Sequence, residues 1–128
     1  MGLPASAKSC LPSTEHGRTE WRMYIIWTTV GNRADAERIA TDVVEHQLAA
    51  CVQVDGPITS FYRWQGKLER SEEFRLCLKC RPETLAALES RVGSLHPYDT
   101  PEWIATAATH VGEKYLSWAG AGSSTPPP

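Results

Sequence analysis

The densest group of chemically capable side chains lies in Ser94–Trp103, SLHPYDTPEW, where His96, Tyr98, Asp99 and Glu102 are set around Pro97 and Pro101. An imidazole and two carboxylates this close could hold a divalent ion or move a proton. They could also form an oligomer contact, or only a stiff turn. A second cluster, Cys77-Leu-Lys-Cys80, has C-x-x-C spacing, a pattern used for metal binding and redox chemistry. Working C-x-x-C pairs sit on turns or helix starts, where the sulfurs converge. This pair falls in alternating sequence that reads as a strand, where residues three apart point to opposite faces. It is therefore read as two ordinary strand cysteines.

The remaining candidates are isolated. His46 belongs to a polar helix face, His16 to the N-terminal segment, and His110 to the end of a strand. Cys51 follows Ala49-Ala50 and reads as a small buried hydrophobe. No nucleophile–base pair is legible. Gly31 stands without the companions of a phosphate-binding loop. No residue set nominates a reaction, so no catalytic residue is assigned and the chain is read as a non-enzyme.

The elements that must position these residues follow from periodicity. Residues 23–29, MYIIWTT, read as a buried strand. Asn32 can cap a helix over residues 33–48, where Ala36, Ile39, Ala40, Val43, Val44 and Leu48 form one apolar stripe. A strand over 50–54 is kinked by Gly56-Pro57 and resumes as ITSFYRW. Gln65-Gly66 is a two-residue hairpin turn, and a third strand covers 67–80. Pro82 opens a second helix that must end before Pro97. Residues 102–110 form a fourth strand, and 114–118 a short final helix.

The order βαββαβ fits an α+β, ferredoxin-like sandwich, with four mostly antiparallel strands and both helices on one face. The hairpin between the second and third strands is long. It carries Tyr62 and Trp64 on one side and Phe61 on the other. A two-stranded arm cannot bury such aromatics alone, so it is expected to pack on another subunit.

Composition bounds the remaining choices. The chain has 128 residues, 41% of them hydrophobic and 22% charged, with a net charge of −2. That suits one domain, expected over residues 21–119. The segments 1–20 and 120–128 lack apolar periodicity and are expected to be disordered. No basic run marks a nucleic-acid binder. The strand KLERSEEFRLCLKC has one aromatic and three glutamates, unlike an RNA-recognition strand. No apolar run could span a bilayer, and no signal peptide is legible. The expectation is a cytosolic protein with free thiols, partnered by neither nucleic acid nor membrane.

Five strings in order, QLAACVQV, ITSFYRWQGKLE, EEFRLCLK, LHPYDTPEWIA and YLSWAG, resemble the CutA (CutA1) family of divalent-ion tolerance proteins over residues 23–119. The resemblance implies a homotrimer like the PII signalling proteins, with Phe61, Tyr62, Trp64 and Trp118 at the subunit interface. It implies a role in metal tolerance, with copper or another divalent cation bound weakly and no cofactor needed for folding. His96, Glu73 and Cys51 are the implied metal residues. Thr28 and Leu95 stand where copper-binding relatives can carry a cysteine and a histidine, so a tight Cu(I) site of their kind is not expected. His96, Tyr98 and Glu102 match the family's HPY-x-x-PE motif. With Tyr62 and Lys79 they are expected either to line an inter-subunit cleft or only to pin the loop. The cleft also leaves open a PII-like signalling role, with a small ligand or a partner protein bound there.

Overall fold

A computed structural model of the chain describes residues 22–121. Four strands, β1 (Tyr24–Val30), β2 (Cys51–Trp64), β3 (Lys67–Cys80) and β4 (Ile104–Ala107), form one sheet in the order β2-β3-β1-β4. Every adjacent pair is antiparallel. Helix α1 (Arg33–Glu45) connects β1 to β2. A 3-10 turn (Pro82–Thr84) leads into α2 (Leu85–Leu95), and α3 (Glu113–Gly120) follows β4. This is the ferredoxin-like α+β architecture expected from the βαββαβ order. No helix among the described residues is long and apolar enough to cross a membrane. Residues 1–21 and 122–128 lie outside the described residues.

Alternation builds the core. Ile26, Thr28 and Val30 of β1 lie opposite Leu78, Leu76 and Phe74 of β3. Ile26, Val30, Leu76 and Leu78 pack with Ala36, Ile39 and Val43 of α1 and with Leu88 and Val92 of α2. The other face of the sheet carries Ile25, Trp27, Arg75, Cys77 and Lys79, and α3 lies against part of it. Arg91 makes two hydrogen bonds to Asp42, at 2.8 and 2.6 Å, and ties α2 to α1.

Local chemistry sets the element ends. The Asn32 side chain accepts the Asp35 amide at 2.8 Å, which caps α1. The helix stops at Glu45, three residues before the expected Leu48, because Gln47 turns left-handed (φ 59°). The amides of Leu48 and Ala49 then both return to the Val43 carbonyl. Strand β4 is also shorter than expected. Its ladder to β1 ends at Ile104–Trp27, and the approach to it is the Pro97–Trp103 loop.

The β2–β3 hairpin departs most from a flat strand pair. Gln65 and Gly66 form its tight turn with positive φ values of 51° and 78°. Gly56-Pro57 does not interrupt β2. It forms a one-residue bulge between Asp55 and Ile58. A Cβ on Gly56 would lie 2.6 Å from the Phe74 ring and 3.0 Å from the Glu73 carbonyl, so no other residue fits there unshifted. Beyond the bulge, Ile58–Trp64 pairs only with Lys67–Glu73, because β1 ends opposite Phe74. Seven residues per strand make an arm of about 20 Å with no third strand.

Candidate functional site

The site grows from the end of β1. Val30 is the last residue paired with β3, so Glu73 of β3 has no β1 neighbour and opens toward the loop after α2. That loop is held by its own chemistry. His96 ends α2, its amide donating to the Val92 carbonyl, and Pro97 prevents continuation of the helix. The Arg38 guanidinium reaches the Leu95 carbonyl at 3.1 Å, fixing the last turn from α1.

His96 is 8% exposed and Glu73 9% exposed. The Tyr98 amide donates to His96 Nδ1 at 3.1 Å. That nitrogen therefore carries the lone pair, and Nε2 carries the proton. Nε2 lies 3.1 Å from Thr28 Oγ1, the acceptor. The Tyr98 hydroxyl donates to Glu73 Oε2 at 2.8 Å, and its ring tilts over the imidazole with centroids 5.0 Å apart. The run Thr28–His96–Tyr98–Glu73 thus joins β1, the loop and β3. The second Glu73 oxygen has no hydrogen-bond partner among the described residues.

Burial sets the protonation states. It lowers the His96 pKa, with the Thr29 backbone and nearby carboxylates opposing it only in part. A neutral ring agrees with the hydrogen bonds. Burial, then the Glu73 hydrogen bond and charge, raise the Tyr98 pKa, so the hydroxyl stays a donor throughout the physiological range.

The expected residues do not all gather here. His96 and Glu73 share the network, but the imidazole lone pair is already used by a backbone amide. Cys51 pairs opposite Lys79, six residues along β3 from Glu73 and about 20 Å away, so it cannot join them within one chain. No group of three or more His, Cys, Asp or Glu side chains among the described residues could hold a metal ion. Of the expected cleft residues, Tyr62 acts electrostatically on Tyr98. Glu102 acts on Arg75, and Lys79 donates to Gln53 at 2.7 Å. Phe61 is 63% exposed, Trp64 61% and Tyr62 45%, while Trp118 stacks on Tyr115 at 5.5 Å.

One residue of the site was passed over as chemistry in the sequence: Thr28 stood out only as a missing thiolate, yet its hydroxyl accepts the hydrogen bond of His96 Nε2–H. Tyr98, singled out beside His96, supplies both the amide and the hydroxyl that tie His96 to Glu73. Cys77 and Cys80 do point to opposite faces, as their spacing required. Burial raises both thiol pKa values, so neither is a ready thiolate.

Comparison with known proteins finds the CutA1 divalent ion tolerance protein family over residues 24–121. The chain is 38% identical to the chloroplastic CutA protein of Arabidopsis thaliana, over 73% of this chain and 52% of that one. It is 42% identical to the CutA homolog of Xenopus laevis, over 73% of this chain and 62% of that one. It thus spans only about half to two-thirds of those relatives. The solved CutA1 of the psychrotrophic bacterium Shewanella sp. SIB1 superposes with a TM-score of 0.78 at 36% identity, covering 83% of this chain and 99% of that one.

Proposed function

The chain belongs to the CutA1 family of divalent ion tolerance proteins, and from that premise we propose that it serves divalent-cation tolerance as a homotrimeric, weakly cation-binding protein rather than as a catalyst. The observation that carries the binding step is the Glu73 carboxylate. It is almost buried at the root of the arm, one oxygen held by Tyr98 and the other unclaimed among the described residues. A single carboxylate oxygen binds Cu(II) or another divalent ion weakly. His96 can add its imidazole only by giving up the Tyr98 amide, so Glu73 leads and His96 follows. Trimer formation brings further donors from a neighbouring chain to this cleft. On this reading the ion is a bound cargo and not a requirement for folding. The reading places the protein in the cytosol, with neither nucleic acid nor membrane as partner.

Calorimetric titration of Cu(II) into wild type, Glu73→Gln and His96→Ala tests this. Wild type should bind with a dissociation constant on the order of micromolar or weaker, about −8 kcal/mol at best. Glu73→Gln should bind least. Equal binding by Glu73→Gln and wild type would remove the assignment.

The electrostatic influence of Tyr62, on the arm, on Tyr98 of the loop favours a second reading, a PII-like signalling protein that takes a small ligand between subunits. A thermal-shift screen of metals against nucleotides separates the two. A selective nucleotide shift that survives chelator would support the second.

A further inference from the structure

Away from this loop, the β2 bulge brings two thiols onto one face. Continuing the hairpin turn's register without the bulge would set Cys51 opposite Cys80. The extra residue moves Cys51 opposite Lys79 and Gln53 opposite Cys77, so Cys51 and Cys77 become diagonal neighbours on the face away from α1 and α2. Both are half-buried free thiols. Tyr115 of α3 lies near this face and interacts electrostatically with both Cys51 and Cys77.

We propose that Cys51 and Cys77 form a two-coordinate site for a soft monovalent ion, Cu(I), between β2 and β3 and beneath α3. Diagonal cross-strand residues have Cα atoms about 7–8 Å apart. A disulfide needs no more than about 6.8 Å, so the pair is too wide to bond directly. Two metal–thiolate bonds of about 2.3 Å each span the extra width. Thiolates select Cu(I), which is content with two of them. A tetrahedral ion would need donors this region lacks, since no larger His/Cys/Asp/Glu cluster exists among the described residues.

Binding exchanges protons for the ion: two thiols and one Cu(I) give a bis-thiolate copper complex of charge −1 and two protons, with no change of oxidation state. The surroundings suit that charge. Lys79 lies directly opposite Cys51, and Arg75 is two residues from Cys77. Asp55, paired with Arg75 at 3.0 Å, offsets part of this charge. Burial of the Cys77 thiol, and to a lesser degree the nearby Cys51, favours its protonated form, while Lys79 and Arg75 oppose it. Affinity should therefore rise with pH.

This site is independent of the Glu73 cleft in place, ion and donors. The test is anaerobic titration of the full chain with Cu(I) buffered by a chromophoric chelator, following the ultraviolet thiolate-to-copper band. Circular dichroism would check the folding of each variant. Wild type, Glu73→Gln and the double variant Cys10→Ser/Cys80→Ser should each take one Cu(I) per chain. Cys77→Ser and Cys51→Ser should each lose the band and yield the ion to the chelator. A folded Cys77→Ser that keeps one Cu(I) at wild-type affinity would overturn the proposal, as would loss of the band in Cys10→Ser/Cys80→Ser.

Discussion

One backbone amide decides what His96 can do. Because Tyr98 donates its N–H to Nδ1, the ring must stay neutral, and a second proton would face that amide head-on. Burial lowers the His96 pKa in the native state, whereas an unfolded histidine titrates near 6.5. Below that value the unfolded chain takes up a proton that the native chain resists. Stability from this residue is therefore present above about pH 6.5 and is lost as the pH falls toward the lowered native pKa. Melting temperatures between pH 7.5 and 5 should fall for wild type and fall less for His96→Gln. Equal slopes would contradict the neutral-ring assignment. Tyr98→Phe removes the donor to Glu73 and leaves a nearly buried carboxylate short of a partner. It should cost about 1–3 kcal/mol by urea denaturation. Two residues of this site, His96 and Tyr98, were legible in SLHPYDTPEW, because proline spacing and a histidine beside a tyrosine are sequence properties, whereas Thr28 and Glu73 come from β1 and β3. Their wiring was not. Whether an imidazole is a ligand or a strut depends on which nitrogen meets which amide, and that is set by the loop path.

The arm's geometry depends on a bulge at Gly56. Its Cβ position is filled by Phe74 and the Glu73 carbonyl, so Gly56→Ala must push β2 away from β3. The expected loss is about 1–3 kcal/mol, as for an overpacked core position, read as a lower denaturant midpoint. Gly66→Ala, at a turn with open space around it, should cost less and only through its positive φ. The helix cap at Asn32 and the turn at Gln65-Gly66 were readable because each follows from one or two residues. The end of α1 was not, since nothing in the apolar stripe through Leu48 announces a left-handed Gln47; Leu48 still packs on the core from the turn. Gly56-Pro57 signalled an interruption of β2. Only the pairing revealed a register shift, which changes the face that every residue from Cys51 to Asp55 shares with β3.

At the scale of the molecule, the arm is out of proportion to the domain that carries it. Phe61, Trp64 and Leu68 are 63%, 61% and 75% exposed, and Arg70, 5.6 Å from the Phe61 ring, covers part of this surface. In the proposed trimer this apolar hairpin without a third strand would be the surface offered to another chain, and three-fold closure would let each arm serve one neighbour without leaving an open end. Trp64→Ala should weaken assembly by about 2 kcal/mol or more, as expected of a central aromatic contact. Trp27→Ala should act mainly on the protomer, where Arg75 stacks on the Trp27 ring at 5.2 Å. The aromatic pattern and the family strings pointed to assembly, but the sequence did not reveal how far the arm stands clear of β1. The most direct test is the mass of the purified chain by light scattering coupled to size exclusion, at micromolar concentration. The account predicts three times the chain mass of 14.2 kDa, shifting to smaller species on dilution of Trp64→Ala. A wild-type mass of one chain would contradict it.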